Sequence, residues 1–357
     1  MIFNTWYVAA WADELGDSIL PRTICNQALV IFRDAGGKVA ALEDRCCHRA
    51  APLRFGNLVP EGIQCSYHGL VFDCTGNCVH IPSQNKIPSQ ARVRSFPVVE
   101  KDEMVWIWMG DPALARAEEI LEYPYHTDKK RWPNKHDVIH LKANNMLLVD
   151  NLMDLTHVGV LHKATIGGEV ASHAQASTEV IPSESGLSYV RWLLDSVPPP
   201  TFQKGLAFKG RVDRWQDFRY VAPSHVVQWS GAMDVGRGAV ENRDQDGAFS
   251  IRLFHSLTPE TDETCFYFWS SANGYRQDDP QATDELFAEL KATFAEDKVI
   301  VEGQQERLDE RGEAGLIQLA SDAVRMHMRR INARLLARES LQPGASAQGQ
   351  AAARTTV

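Results

Sequence analysis

The chain has 357 residues and a formal net charge of −9. This length predicts about two domains, and the acidic balance argues against a nucleic-acid partner. No apolar run approaches the roughly 20 residues of a membrane span, so no membrane partner is expected. The N-terminus has no basic start followed by an apolar core, which predicts a cytoplasmic protein. The seven cysteines cluster mostly between Cys46 and Cys78, which is typical of metal ligands plus spare thiols rather than of a disulfide framework.

Residues 1–115 show short apolar runs separated by turn signals. The run from Ala28 to Arg33 is followed by Asp-Ala-Gly-Gly, which is typical of a hairpin. A second run from Val105 to Trp108 is β-branched and aromatic, and Gly-Asp-Pro closes it soon afterwards. These patterns predict an antiparallel all-β domain.

Two cysteine–histidine pairs lie inside this predicted domain. Cys46 and His48 form a C-x-H pair, and after sixteen intervening residues Cys65 and His68 form a C-x-x-H pair. Such a set is able to hold a structural zinc ion, or a 2Fe–2S cluster with two thiolates on one iron and two imidazoles on the other. Each pair contributes one cysteine and one histidine, as a two-iron cluster with distinct ends requires. Cys74 and Cys78 are interpreted as small buried thiols of a strand–turn–strand unit rather than as a second metal site.

The remaining chain predicts a connector, a second domain and a tail. Residues 116–139 are rich in Ala, Glu, Pro and charge, and they are interpreted as a partly helical connector. Residues 140–340 alternate strand-like runs with Pro and Gly, which predicts a large antiparallel sheet. Helices are predicted from Gln281 to Arg311 and from Leu316 to Glu339. Residues 341–357 have the composition of a disordered tail.

The segment Asp150–His162 places polar groups in an apolar run. On a helix, Asp154 and His157 share one face, and Asn151 lies one turn earlier on that face. His162 follows His157 by five positions, so the helix is expected to end or distort near Gly159 if both imidazoles meet one ion. Histidines that are satisfied by backbone carbonyls are the alternative interpretation.

A carboxylate is expected to complete a two-histidine iron site, because such a set leaves three positions open for oxygen and substrate. In the predicted helix Gln281–Arg311, an apolar stripe is formed by Phe287, Leu290, Phe294 and Val301. Asp297 occupies a slot in this stripe, whereas Glu296 points away from it. An acid in a core-facing slot needs a partner, for which iron and an arginine are alternatives.

Two segments resemble a known family. The residues from Asp44 to Leu53 and from Gln64 to Leu70 resemble the Rieske domain of aromatic-ring and O-demethylating oxygenases. The segment Asp150–His162 is similar to the mononuclear-iron motif of the same enzymes. The similarity covers nearly all of residues 1–340 and is greatest to the α subunits of the vanillate O-demethylase, dicamba monooxygenase and toluenesulfonate methyl-monooxygenase type. One departure is Cys47, because many relatives carry proline between the first cysteine and histidine.

The resemblance implies a fold and a set of ligands. The fold is α+β, with an N-terminal all-β Rieske 2Fe–2S domain and a C-terminal helix-grip, START-like domain in which helices flank a large antiparallel sheet. Cys46 and Cys65 would hold the inner iron of the cluster, and His48 and His68 the outer iron.

The resemblance also implies roles in the second domain. His157, His162 and Asp297 would hold a mononuclear Fe(II), with Asn151 nearby. Asp154 would link a ligand histidine to His68 of a neighbouring subunit in a head-to-tail homotrimer.

The expected function is that of the oxygenase component of a Rieske monooxygenase, which hydroxylates a methyl or methoxy group of an aromatic acid with O₂. O-demethylation is favoured; methyl hydroxylation of an aromatic sulfonate and pure electron transfer without oxygenase activity are the alternatives. The chain has no G-x-G-x-x-G after a strand, so electrons are expected from a separate NAD(P)H-dependent flavin and iron–sulfur reductase. His255, with Gln228 and Arg252 behind it, is the candidate donor to the anionic group of the substrate.

Overall fold

The computed structural model describes residues 1–341 and divides the chain into two compact units. The first contains residues 1–122, 258–262 and 338–341, and the second contains residues 123–257 and 263–337. The predicted connector 116–139 spans the boundary at residue 122. Apart from Leu341, the predicted disordered tail lies outside the described residues.

The first unit is built from eleven short strands in three antiparallel sheets. The sheet orders are β1-β11-β10, β2-β3-β4-β9 and β5-β6-β7-β8. The strands are β1 (Trp6–Trp11), β2 (Leu20–Ile24), β3 (Gln27–Arg33), β4 (Val39–Glu43), β5 (Asn57–Val59), β6 (Gly62–Gln64), β7 (Val71–Phe72), β8 (Cys78–His80), β9 (Ser95–Phe96), β10 (Val98–Lys101) and β11 (Met104–Trp108). The prediction of an N-terminal all-β domain is confirmed.

The second unit is built around one seven-stranded antiparallel sheet. Its order is β12-β18-β17-β16-β15-β14-β13, so the strands from β13 to β18 follow one another as a meander. The strands are β12 (Asn134–Leu141), β13 (Ser177–Pro182), β14 (Gly186–Ser196), β15 (Val212–Val221), β16 (His225–Asp234), β17 (Phe249–Pro259) and β18 (Cys265–Asn273). The predicted large antiparallel sheet is therefore confirmed.

Helices cover one face of this sheet. They are α1 (Asn145–Met153), α2 (Val158–Leu161), α3 (Val170–Ala174), α4 (Pro200–Gly205), α5 (Pro280–Arg311) and α6 (Ala323–Ser340), with a π-helical turn at Lys163–Gly167. Helix α5 packs through aromatic side chains, since the rings of Phe287 and Phe294 both lie 4.8 Å from the ring of Trp269 on β18. No described helix is long and apolar enough to cross a membrane.

Some element boundaries differ from those predicted. The run from Phe208 to Trp215 has the pattern of a strand, but the strand found there, β15, begins at Val212 and continues to Val221. Strand β13 was not predicted, because it is a largely exposed edge strand without a buried apolar face. The last helix begins at Ala323 rather than at Leu316, after a 3₁₀ turn.

Gly231 allows a close approach between strands of the large sheet. A methyl group at this position would lie 2.2 Å from the Trp215 indole and 2.3 Å from the Phe249 carbonyl oxygen. We expect Gly231→Ala to destabilise the protein by about 1–3 kcal/mol, because a packed core has no room for the added methyl group. The shift in the urea unfolding midpoint, followed by tryptophan fluorescence, measures this. Gly210→Ala is the matched control, since that position has no neighbour within 4 Å; equal midpoints for both variants would contradict the packing argument.

Candidate active site

Two similar turns carry the predicted cluster ligands. In the first, the Cys46 amide donates to the Ala51 carbonyl oxygen, and the Ala50 amide donates to the Cys46 carbonyl oxygen. The second turn repeats this pattern: the Cys65 amide donates to the Leu70 carbonyl oxygen, and the Gly69 amide donates to the Cys65 carbonyl oxygen. The fourth residue after each cysteine has a positive φ, 55° at Ala50 and 74° at Gly69. The repeated geometry gives each cysteine the same backbone setting.

The two turns present two distinct ends. The Cys46 and Cys65 side chains are buried, whereas His48 and His68 are exposed with ring centroids 4.4 Å apart. Burial raises the pKa of the Cys46 thiol to about 11, so a thiolate there needs the compensating charge of a metal. A buried thiol end and an exposed imidazole end fit a cluster with two chemically different irons.

The other cysteines of this region are free thiols. Cys47 is exposed beside the first turn. Cys74 is partly buried and donates to the Asp34 carboxylate at 3.6 Å, while Cys78 is buried and donates to the His80 carbonyl oxygen at 3.4 Å. Cys78 opens β8, which pairs with β7 across the turn that contains Cys74, so the two thiols belong to a strand–turn–strand unit.

In the second unit, the helix that carries the Asp150–His162 segment ends earlier than predicted. The Asn144 side chain caps the start of α1 at the Met146 amide, and α1 ends at Met153. Asp154 is extended (φ −101°, ψ 93°), and its carboxylate accepts hydrogen bonds from the amide (2.9 Å) and the hydroxyl (2.6 Å) of Thr156. Such a local side-chain turn competes with helix. The predicted break near Gly159 is thus wrong in position, and Asp154 and His157 do not share a helix face.

The break brings three side chains together. Nε2 of His162 lies 3.1 Å and Nε2 of His157 lies 3.6 Å from the same carboxylate oxygen, Oδ1 of Asp297. One ligand atom from each of the three residues lies within 4.8 Å of the other two. Asp297 is buried in the apolar stripe of α5. This group is able to bind a mononuclear iron, since two imidazoles and a carboxylate form the facial set of non-heme iron sites.

Hydrogen bonds orient both imidazoles for metal binding. His157 Nδ1 lies 2.5 Å from the Asp154 carbonyl oxygen, and His162 Nδ1 lies 2.7 Å from Oε2 of Glu296. Both partners only accept, so both Nδ1 atoms carry the proton. The Nε2 atom of each ring is therefore left with a lone pair for a metal ion.

Glu296 is a part of the site that the sequence analysis did not identify. Its side chain points away from the apolar stripe, as predicted, yet it reaches His162 from the rim of the helix and is 38% exposed. Burial by itself lowers the pKa of His162, but the adjacent Asp297 and Glu296 carboxylates raise it above its ordinary value. In contrast, burial lowers the pKa of His157, which has no comparable second carboxylate.

Asn151 and Asp154 support the three-residue group in different ways. The Asn151 amide donates to Oδ1 of Asp297 at 3.0 Å, and its own Oδ1 is buried with no hydrogen-bond partner. Asp154 holds His157 through its backbone carbonyl rather than through its carboxylate. The expectation that the Asp154 side chain bonds a ligand histidine within the chain is therefore corrected, because that carboxylate bonds Thr156.

A narrow pocket lies between the sheet and α5. Leu290 and Phe294 line it from α5, about two turns and about one turn before Asp297, and the cavity volume is about 30 Å³. This corresponds to about two water molecules, so an aromatic substrate enters only if lining side chains move. The other lining residues are Ile166, Phe202, Arg214, Gln216, Gln228, Ser230, Ile251 and Leu253.

The predicted substrate residues do not form one group. His255 is fully buried, with Nδ1 2.7 Å from the Tyr267 hydroxyl and Nε2 3.2 Å from Oε1 of Gln228. Burial lowers the pKa of His255 to about 3, so the ring is neutral at neutral pH. Gln228 lines the pocket and connects His255 to it.

Arg252 lies on the opposite face of the sheet. It pairs with Trp229, whereas Gln228 pairs with Leu253, and successive residues of a strand face opposite sides. Its guanidinium lies 3.9 Å from the centre of the Trp229 ring. This placement corrects the prediction that Arg252 stands behind His255 in the pocket.

Arg214 and Gln216 are pocket residues that the sequence analysis missed. Both lie on β15 among the alternate buried positions that include Phe218 and Tyr220. The sequence did contain a signal for this: Val212, Phe218 and Tyr220 fall in step with positions 214 and 216 at period two, which places both polar side chains on the core face.

Two family descriptions match the chain. The vanillate O-demethylase oxygenase C-terminal domain matches residues 141–338, and the Rieske [2Fe-2S] domain matches residues 5–97. The chain belongs to the Rieske oxygenase family of the vanillate O-demethylase type. Members of this family are monooxygenases, and the Rieske domain carries the predicted 2Fe–2S cluster. The predicted family is thereby confirmed.

Individual relatives agree with this placement. The toluene-4-sulfonate monooxygenase system iron-sulfur subunit of Comamonas testosteroni is 37% identical over 90% of this chain and 93% of its own length. The vanillate O-demethylase oxygenase subunit of Pseudomonas sp. strain HR199 is 34% identical over 94% of this chain and 95% of its own. An oxygenase subunit of this kind implies a separate reductase partner.

The solved structures confirm the fold class. The crystal structure of dicamba monooxygenase bound to 3,6-dichlorosalicylic acid matches with a TM-score of 0.89 at 34% identity, covering 96% of this chain and 99% of that one. Another structure of dicamba monooxygenase contains a non-heme iron and dicamba, which agrees with the iron-binding capacity of the group around Asp297.

Replacement of Glu296 tests its support of His162. We expect Glu296→Gln to weaken mononuclear iron binding by about 10- to 100-fold, because an amide accepts less strongly from the imidazole than a carboxylate. The measurement is iron per chain after dialysis against graded chelator, with sulfide content as the measure of the Rieske cluster. Glu306→Gln, at an exposed position of the same helix, is the matched control. If both variants retain iron equally, Glu296 does not support the site.

Proposed function

We propose that this protein is the oxygenase component of a Rieske monooxygenase that hydroxylates a methyl or methoxy group of an aromatic acid. The observation that carries the proposal is the convergence of His157, His162 and Asp297 on one point in a chain that also has the two cysteine–histidine turns. A pure electron carrier needs only the turns, so the second set of ligands favours an oxygenase.

The chain's residues divide the work between two sites. Cys46, Cys65, His48 and His68 are proposed to hold the cluster, and His157, His162 and Asp297 to hold Fe(II). When bound, these groups supply stored electrons and activation of O₂. Glu296 and the Asp154 carbonyl keep the two imidazoles in the metal-binding tautomer, and Asn151 holds the Asp297 carboxylate in place.

The proposed substrate class rests on the relatives. Hydroxylation of a methoxy carbon gives a hemiacetal that collapses to a phenol and formaldehyde, and O-demethylation is the reaction that we favour. Methyl hydroxylation of an aromatic sulfonate is the second candidate, because a relative named for toluene-4-sulfonate is 37% identical to this chain. Gln228, whose side-chain oxygen lies against neutral His255, is proposed to contact the substrate from the sheet side of the pocket.

The proposed partners follow from the electron demand. A separate NAD(P)H-dependent reductase with flavin and an iron–sulfur centre would reduce the cluster, which suits a cytoplasmic setting. A head-to-tail homotrimer would bring His68 of one subunit near Asp154 of the next. Asp154 would then join the two centres, with its backbone carbonyl on His157 and its carboxylate towards His68 of the next subunit.

Metal and sulfide analysis of anaerobically purified protein is the direct test of the proposed function. We expect three irons and two acid-labile sulfides per chain and a red-brown colour, because a 2Fe–2S cluster and one further iron are both required. If the protein has two irons and two sulfides and binds no third iron when Fe(II) is added, an electron carrier would be favoured. Zinc without sulfide would contradict both proposals. Vanillate and toluene-4-sulfonate, supplied with a reductase, then separate the two candidate reactions by formaldehyde or alcohol formation.

The variant Asp154→Asn tests the proposed link between subunits. An asparagine oxygen still accepts from Thr156, so we expect the turn and all three irons to be retained while turnover is abolished, since the amide lacks the bridging charge. The measurements are iron and sulfide content, steady-state turnover, and the rate at which the reduced cluster is oxidised in a single turnover. Asp309→Asn on the exposed part of α5 is the control. If the reduced cluster of Asp154→Asn is oxidised at the normal rate in a single turnover, electron transfer between subunits does not depend on the Asp154 carboxylate.

A further inference from the structure

Arg214 is a buried cation without a carboxylate partner. Its side chain is 1% exposed, and within residues 1–341 it forms no ion pair. Its guanidinium donates to the carbonyl oxygens of Gly167 at 3.1 Å and Ile166 at 3.0 Å. Burial, together with the nearby Arg191 charge, lowers the pKa of Arg214 to about 9, so the group is still charged at neutral pH. A buried charge without a counter-charge is costly.

The unsatisfied part of this guanidinium belongs to the pocket. Arg214 lines the pocket together with Gln216, and its Nε is buried with no hydrogen-bond partner. The Oε1 atom of Gln216 is also buried and without a partner. Guanidinium has five N–H donors, of which the two backbone carbonyls use only a part. The pocket therefore has a positive, incompletely bonded end.

Neighbouring Arg191 shows what a purely structural arginine looks like here. It pairs with Gln216 across β14 and β15 and is 3% exposed. Its guanidinium donates to the carbonyl oxygens of Leu155 at 2.7 Å and His173 at 2.6 Å and to the His173 ring at 3.1 Å. It does not line the pocket, and none of its nitrogens is a fully buried atom without a hydrogen-bond partner. Arg214 differs on both counts.

The other candidate for an anion partner is His255, which is neutral and already bonded at both ring nitrogens. We propose that Arg214, assisted by the Gln216 amide, binds the carboxylate or sulfonate oxygens of the aromatic substrate. This inference rests on the proposed function and adds the residue that selects acids over neutral aromatics. Leu290 and Phe294 line the same pocket and precede Asp297 in the buried stripe of α5, so the methyl or methoxy group of a substrate held by Arg214 is proposed to point towards the iron.

Binding of matched acid and neutral probes tests the assignment. Calorimetry on anaerobic, iron-loaded protein compares toluene-4-sulfonate with toluene-4-sulfonamide and vanillate with vanillamide. We expect the wild-type protein to bind at least one acid about tenfold or more tightly than its amide, because a hydrogen bond to a charged group is stronger than a neutral one. A wild-type protein without preference for any acid would overturn the proposal.

Variants then assign the preference to one residue. Arg214→Gln is expected to weaken acid binding by about 10- to 100-fold and amide binding by less than about threefold, since only the acid loses a charge-assisted hydrogen bond. Arg214→Lys keeps the charge and is expected to fall between the two. Arg191→Gln is the matched control and is expected to leave the acid-to-amide ratio unchanged. Equal weakening of both probes in Arg214→Gln and Arg214→Lys would mean that Arg214 only supports the Ile166–Gly167 backbone.

Iron analysis keeps this test separate from that of the proposed function. If the chain lacks the third iron, the oxygenase proposal fails whatever the binding ratios are. If three irons are present and the acid preference survives in Arg214→Gln, the oxygenase proposal stands and only the Arg214 assignment fails.

Discussion

The buried Asp297 carboxylate is the interaction on which the second unit's site depends. A carboxylate that is 4% exposed is costly without partners, and here its Oδ1 faces an asparagine amide and two imidazoles. Helix α5 can bury this acid because α1 ends at Met153, and the chain after it places His157 and His162 beside the Asp297 carboxylate. The aromatic packing of α5 on β18 fixes the height of Asp297 above the sheet.

Around this carboxylate, the supporting hydrogen bonds come from both local and distant parts of the chain. The Asp154 carbonyl orients His157 from three residues away, whereas Glu296 orients His162 across 134 residues. One imidazole is thus held by backbone and the other by a charged side chain. Burial lowers the pKa of both imidazoles, but at His162 the Asp297 and Glu296 carboxylates outweigh it and raise the pKa, whereas at His157 burial prevails.

Neutral and charged groups also differ in how they are bonded on the sheet side of the substrate pocket. The sheet contributes a neutral, fully bonded histidine at His255 and a charged, incompletely bonded guanidinium at Arg214 on one face. Arg252, which carries the same charge, faces the other side and stacks on Trp229. Strand register alone decides which of the two arginines can meet a ligand in this pocket.

The sequence by itself determined the two cysteine–histidine turns, the antiparallel sheets and the apolar stripe that buries Asp297, because local spacing places these residues in one turn or on one face. It did not locate the break at Asp154, where a side chain that bonds Thr156 competes with the helix. Only the tertiary structure decided that Glu296 meets His162 and that Arg214 rather than Arg252 lines the pocket. Contacts between residues more than a hundred positions apart depend on how α5 lies on the sheet and on strand register, and neither quantity is encoded in the spacing of a single segment.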